Sequence, residues 1–186
     1  MKDDEYFHLL REGLVIDLFA GGGGASIGIE EAIGRPIDVA LNHDPYALAL
    51  HGVNHPRTVH HCQNIEDADP LAITQGRPVF HLHASPSCTQ FSRSRRALPA
   101  ERQLRDHAWR VLDWVRQTMP AILTVENVPE FRDWGPLKPS GFPDRNRAGE
   151  YWNSWNQQIR ELGYEIEDNV INEIFSKLEK KSNYKK

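Results

Sequence analysis

Cys88 is the residue in this chain whose surroundings most resemble a reactive site. It sits in Phe80–Arg96, FHLHASPSCTQFSRSRR, where the apolar run Pro78–Leu82 ends in a turn of small residues and a Ser/Arg-rich loop follows. Ligands of parallel α/β sheets bind beyond the carboxyl ends of the strands, so a strand that stops at a cysteine presents a thiol nucleophile at the rim of the sheet. A buried, inert thiol is the bland alternative. Two other stretches carry chemistry-bearing residues at strand ends: VIDLFAGGGGAS (Val15–Ser26) and TVENVPEF (Thr124–Phe131), the second with Glu126 and Asn127. His60, His61, Cys62, His81, His83 and Cys88 invite a zinc reading. Among these six residues no Cys-x-x-Cys or His-x-x-x-His spacing occurs, and no metal is expected.

These groups need a scaffold, and the apolar periodicity supplies one. Leu14–Phe19 reads as a strand, four glycines follow, and Ser26–Ile33 shows helical spacing through Ile27, Ile29 and Ile33. Strand, glycine turn and helix together form an anion- and nucleotide-binding corner with free amides at the helix start. A plain tight turn would also explain a glycine run. Ile37–Asn42 reads as a second strand, and Asp44-Pro45 as an N-cap with proline at the first helical position, opening a helix to about Asn54. Acidic groups after a second strand usually hold a ribose in such folds; here the strand-end residue is Asn42, with Asp44 two further on.

Thr58–His61 reads as a short third strand and the run ending near His83 as a fourth. Leu104, Ala108, Val111, Leu112 and Val115 mark an amphipathic helix within Pro99–Met119, and Ile122–Val125 is a fifth strand. Asp133–Gly149 reads as a surface loop. Tyr151–Leu162 is a helix with Trp152, Trp155 and Ile159 on one face, read as packing residues, and Tyr164–Ile171 a sixth strand. Alternating strands and helices imply an α/β fold with a doubly wound, mostly parallel sheet.

At 186 residues the chain suits one such domain. A net charge of −4 places any basic surface locally, and two cysteines make no disulfide framework. The start shows no signal peptide and no apolar run reaches membrane-spanning length, so a soluble cytoplasmic protein is expected. We divide it into an N-terminal extension (1–13), a catalytic domain (14–172) and a lysine-rich tail (173–186). Five of the seven lysines fall at Lys177, Lys180, Lys181, Lys185 and Lys186. A solvated charged end explains such a tail, and a frameshift or truncated gene would too.

Taken together, the three stretches resemble the cytosine-5 DNA methyltransferases of the bacterial and phage type. Asp17-Leu18-Phe19-Ala20-Gly21-Gly22-Gly23 is similar to the family's cofactor turn, Ser85-Pro86-Ser87-Cys88 to its catalytic loop, and Glu126-Asn127-Val128 to its Glu-Asn-Val motif. The resemblance runs from about Leu14 to Asn172 and implies a Rossmann-like fold that uses S-adenosyl-L-methionine. The chain departs from the pattern at Ser87, where a proline is usual, and at Asn42 and Asn64, where acidic residues are usual. The family's Gln-Arg-rich motif, target-recognition domain and last helix have no counterpart here, so the resemblance covers the N-terminal catalytic portion only and reads as incomplete.

The resemblance also implies roles. Cys88 would add to cytosine carbon 6, Glu126 would hold the ring-nitrogen-3 edge, and Asn127 would orient the loop. Asp17, Phe19, Ala20, Gly21, Gly23, Asn42, Asp44, Asn64, Ile65 and Pro86 would line the cofactor. Ser92, Arg93, Arg95 and Arg96 would grip DNA phosphates around a cytosine flipped out of the duplex. A free thiol has a pKa of about 8.5, and the arginines would supply potential that lowers it. Two other functions stay open: a non-catalytic or split cofactor-binding subunit that needs a complementary chain, and an RNA cytosine methyltransferase. A cysteine hydrolase is a distant third and would need His81, His83 or His107 as its base.

Overall fold

A computed structural model of the chain describes residue 8, residues 10–86 and residues 102–169, with side chains of the last stretch from His107 onward. Five strands form one all-parallel sheet: β1 (Leu14–Leu18), β2 (Val39–Asn42), β3 (Val59–Cys62), β4 (Val79–Ala84) and β5 (Ile122–Val125), in the order β3-β2-β1-β4-β5. β1 and β4 are buried along their whole length, as expected of central strands covered on both faces. The doubly wound parallel sheet expected from the sequence is the one observed.

Helix α1 (Gly24–Ile33) connects β1 to β2, and α2 (Pro45–Asn54) connects β2 to β3. Asp44 caps α2 as its sequence suggests: its carboxylate accepts from the amides of Tyr46 and Ala47 at 2.8 and 3.4 Å. A short helix, α3 (Pro70–Thr74), was not expected, although Asp69-Pro70 repeats the Asp-Pro start of α2 and caps in the same way. The long α4 (Arg102–Thr118) leads to β5, and α5 (Glu150–Glu161) follows an irregular segment containing two 3-10 turns.

Ala108, Val111, Leu112 and Val115 of α4 pack on Leu14, Ile16, Leu18, Leu82 and Ala84 across one sheet face. Ile29 and Ile33 of α1 pack near Val15, Ile37 and Phe80 in a second cluster. Phe131, Trp134 and Trp155 extend the first core. The Trp155 indole donates to Ala108 O at 2.8 Å, so it is a packing residue that ties α5 to α4.

Two expectations need correction. β1 ends at Leu18, because Phe19 turns to φ 63° and leaves the extended region. Tyr164–Asn169 forms no strand. Its side chains bind sideways instead: Tyr164 donates to Pro120 O at 2.6 Å, and Asp168 accepts from Arg132 at 2.9 Å. β5 is therefore the sheet edge among the described residues, while Val170 and Ile171 lie outside them. No helix of the described residues is long and apolar enough to cross a membrane.

Candidate active site

The sheet order changes direction between β1 and β4, and a crevice opens at such a switch point beyond the carboxyl ends of the strands. Beyond β1 lies Phe19–Gly23; beyond β4, Ser85 and Pro86. On the flanks stand Asn42 and Asp44 after β2, Asn64 and Ile65 after β3, and Glu126 and Asn127 after β5. The structure thus brings every described candidate to one end of the sheet. Cys88, Ser92, Arg93, Arg95 and Arg96 lie outside the described residues.

The turn after β1 is held in unusual backbone. A bulky residue at positive φ is strained, and Phe19 at φ 63° is such a residue, its ring 5.4 Å from that of His107. Strain of this kind persists where surrounding contacts fix it. Ala20 N donates to Leu41 O at 3.0 Å, and the Asn42 amide donates to Ala20 O at 2.8 Å. Gly23 is the left-handed N-cap of α1 (φ 105°), and a Cβ there would meet His55 Nε2 at 2.4 Å. Gly23→Ala is expected to destabilise the chain by about 2–4 kcal/mol, strain and overpacking together, as a lowered urea midpoint. An unchanged midpoint would mean that the turn is not built this way.

Behind the turn, Asp17 is 1% exposed. Burial raises its carboxyl to about 6, against the lowering effects of the Ser26 hydrogen bond and of His55. The Ser26 hydroxyl donates to Asp17 Oδ2 at 2.6 Å and lies 2.9 Å from His51 Nε2; His51 Nδ1 lies 2.9 Å from His60 Nε2. Asp17 Oδ1 is buried with no hydrogen-bond partner among the described residues. A buried carboxylate oxygen left unpaired is costly, and a donor from outside the chain would relieve that cost. Sequence reasoning singled out Asp17 but missed Ser26 and His51, and weighed His60 only as a zinc ligand. The available signal was two polar residues within otherwise apolar helical faces.

The flanking candidates are less free than the sequence suggests. Asn42 spends its side chain on the fold, donating to Ala20 O and accepting from Asp44 N at 3.0 Å. Asp44 caps α2 through Oδ1 alone. Asn64 is exposed and donates to Asp67 at 3.2 Å, whereas Ile65 is buried in the core. On the other side, Glu126 is exposed at the end of β5, its amide donating to Ala84 O at 3.0 Å. Asn127 Nδ2 donates to Pro86 O at 3.0 Å and so fastens the end of β5 to the segment that leads to Cys88.

His81 and His83 share a strand face, each 2.8 Å from Thr124 Oγ1. Burial depresses both, His83 to about 4, and also lowers His51 to about 4. Among the described residues no three His, Cys, Asp or Glu side chains gather as a metal site. The depressed histidines stabilise the fold fully above about pH 6.5, and that stability is lost as pH falls towards 4. Asp17 acts oppositely, favouring the fold below its raised value. With several histidines against one carboxyl, the urea midpoint is expected to fall between pH 6.5 and 4.5, and His83→Gln should flatten that slope. A midpoint that rises on acidification would contradict the assignment.

The residues present fit the cofactor that the sequence resemblance implies. The orphaned Asp17 oxygen offers an acceptor to a cationic amino group. The open space around Gly21 and Gly24, where a Cβ would meet nothing within 4 Å, leaves room along the turn.

Comparison with known proteins places the chain in a family. A type II methyltransferase of Xanthomonas oryzae pv. oryzae, M.XorII, is 36% identical over 120 residues, which cover 61% of this chain and 27% of that protein. The chain thus spans about a quarter of the length of the curated relative it matches. Among solved structures, one described as a DNA modification methyltransferase encoded within an E. coli prophage superposes with a TM-score of 0.60 at 21% identity, over 81% of this chain and 37% of that one. A Dnmt2 methyltransferase of S. pombe superposes with a TM-score of 0.52 at 18% identity, over 81% and 40%. At those identities the two structures speak for the fold alone. The sequence profile of the C-5 cytosine-specific DNA methylases matches residues 14–174, most of the chain, and to that family the chain belongs.

Proposed function

We propose that residues 14–174 are the catalytic portion of a DNA (cytosine-5-)-methyltransferase that takes its methyl group from S-adenosylmethionine. The observation that carries this reading is the convergence of three motif-bearing strand ends at one switch point, with Asn127 bonded to Pro86 O across two of them. When bound, the cofactor supplies an electrophilic methyl group on a sulfonium. Asp17 Oδ1 would accept from its amino group, Phe19, Ala20, Gly21 and Gly23 would line it, and Asp44 keeps Oδ2 for a ribose hydroxyl. Asn42 supports that wall by holding Ala20 O, and Ile65 adds apolar surface to it.

The chain's own chemistry is to make an electron-poor ring nucleophilic. The Cys88 thiolate adds to cytosine carbon 6, forming a carbon–sulfur bond and moving an electron pair towards ring nitrogen 3. Glu126 meets that charge by holding a proton, taken up from solvent, between its carboxylate and nitrogen 3. After carbon 5 has been alkylated, its proton passes to solvent water, the C–H electron pair re-forms the carbon 5–carbon 6 double bond, and the Cys88 thiolate leaves. Ser92, Arg93, Arg95 and Arg96 are proposed to clamp phosphates beside a flipped cytosine, in the cytoplasm of a bacterium or of a phage-infected cell.

A second reading has a specific observation behind it. A groove of about 400 Å³ runs along the outer side of β5, lined by Thr124, Val128, Phe131, Trp152 and Ile166 among others. On this reading target recognition is supplied by a complementary chain. Calorimetric titration with S-adenosylmethionine, followed by transfer of labelled methyl to duplex DNA and to tRNA, separates these readings. Binding with transfer to DNA supports the proposal, and binding without transfer supports the split reading. Transfer to RNA alone changes the substrate class, and absence of binding by folded protein contradicts all three.

A further inference from the structure

Three hydrogen bonds run in series from β3 to the end of β1, through four side chains that come from four different elements. Their directions can be worked out from chemistry. Ser26 has one hydroxyl hydrogen, and it goes to Asp17 Oδ2 at 2.6 Å. Its oxygen must then accept at the 2.9 Å contact with His51, so His51 carries its proton on Nε2. Burial among other histidines keeps His51 neutral, leaving Nδ1 with a lone pair, and the 2.9 Å contact with His60 places that residue's proton on Nε2 as well. Every hydrogen in the series points towards Asp17.

We infer that His51, held in one tautomer by His60, is a positioning residue for the cofactor site: through Ser26 it fixes the Asp17 carboxylate with Oδ2 engaged and Oδ1 presented to the cofactor's amino group. The inference rests on the proposed function and deepens it, because nothing in the motifs assigns a role to Ser26, His51 or His60. The burial is what makes the arrangement specific. Asp17, Ser26 and His51 are at most 1% exposed, so water is excluded from this part of the series and does not substitute for a missing link. His55 lies alongside, its ring 4.5 Å from that of His51. Its Nε2 is 3.2 Å from Gly23 O and its Nδ1 3.1 Å from Glu30. The same helix thus braces the carboxylate and the glycine turn.

The series also predicts a pH signature. The groups facing Asp17 and its partners are His51 from α2, His55 just past its end, Glu30 from α1, His60 from β3 and His83, the register neighbour of Asp17 on β4. Cofactor affinity should fall as pH drops and Asp17 gains a proton. Without the Ser26 hydroxyl that stabilises the carboxylate, the fall should begin at higher pH.

The test uses the full chain. Long-range 15N–1H NMR on the cofactor-free protein should show His51 and His60 as neutral Nε2–H tautomers at pH 7. Titration with S-adenosylmethionine should show about tenfold weaker binding in Ser26→Ala and His51→Phe, with His51→Gln, whose amide can still donate to Ser26, within about threefold of wild type. In Ser26→Ala the pH midpoint of binding should move upward, a change that general loosening would not produce. If His51→Phe fails to fold, Ser26→Ala and the tautomers decide. An Nδ1–H tautomer at His51, or unchanged affinity in Ser26→Ala, overturns the positioning role while leaving the methyltransferase reading intact. A folded wild type that binds no cofactor overturns both.

Discussion

Asp17→Asn is expected to give a protein that is more stable but binds S-adenosylmethionine about 10- to 100-fold less tightly. The two effects have one cause. In the folded chain the carboxyl is raised from 3.8 to about 6 by burial, so above pH 6 the native state carries an ionised group it would rather not ionise. That penalty is removed by the neutral amide, and a gain of about 1–3 kcal/mol at pH 7.5 is expected, vanishing as pH falls below about 4. The sign follows from linkage: a raised carboxyl favours folding at low pH and opposes it at high pH. Cofactor binding runs the other way, because the charge that is costly in the empty site is the one that attracts an ammonium. Urea unfolding with and without cofactor at pH 7.5 reads both effects. Loss of stability together with unchanged affinity would show that Asp17 is merely a structural residue.

Glu126→Gln should lower the rate of methyl transfer by roughly 10²–10³-fold and leave cofactor affinity and stability almost untouched. Glu126 is exposed at a strand end and its backbone amide, not its side chain, holds the sheet, so the substitution removes nothing from the fold. Glutamine keeps the size and hydrogen-bonding reach of the side chain but cannot share a proton with ring nitrogen 3. Single-turnover kinetics at saturating cofactor measures this effect. A variant with the wild-type rate would remove Glu126 from the chemistry. Asn127→Ala should act differently: it unties Pro86 O, loosens the approach to Cys88, and slows the reaction without changing its dependence on pH.

Much of this architecture was legible because local chemistry and tertiary role agree. The buried runs of β1 and β4, the Asp44-Pro45 helix start and the apolar face of α4 each point one way, and the structure follows them. The sixth strand failed because weak alternation over Tyr164–Ile171 carries little information about pairing. In the described part, Tyr164 and Asp168 find partners on Pro120 and Arg132 instead. α3 was overlooked although Asp69-Pro70 announces it. At the site, the motif residues were visible as strand ends, but the relay behind them was not. Asp17, Ser26, His51 and His60 come from β1, α1, α2 and β3, and only the folded sheet brings them within hydrogen-bonding distance. Asn42 has a second role that its position did not announce: its side chain braces the turn and the start of α2.

The central claim is that this chain places a cysteine nucleophile against a flipped cytosine, and covalent trapping tests it most directly. Purified protein would be mixed with S-adenosylmethionine and duplex DNA in which cytosines carry fluorine at carbon 5, a substituent that blocks the final elimination. Intact-mass analysis should then show a protein–DNA adduct that is absent in Cys88→Ser. An adduct that persists in Cys88→Ser, or none with a folded protein that binds cofactor, would contradict the account.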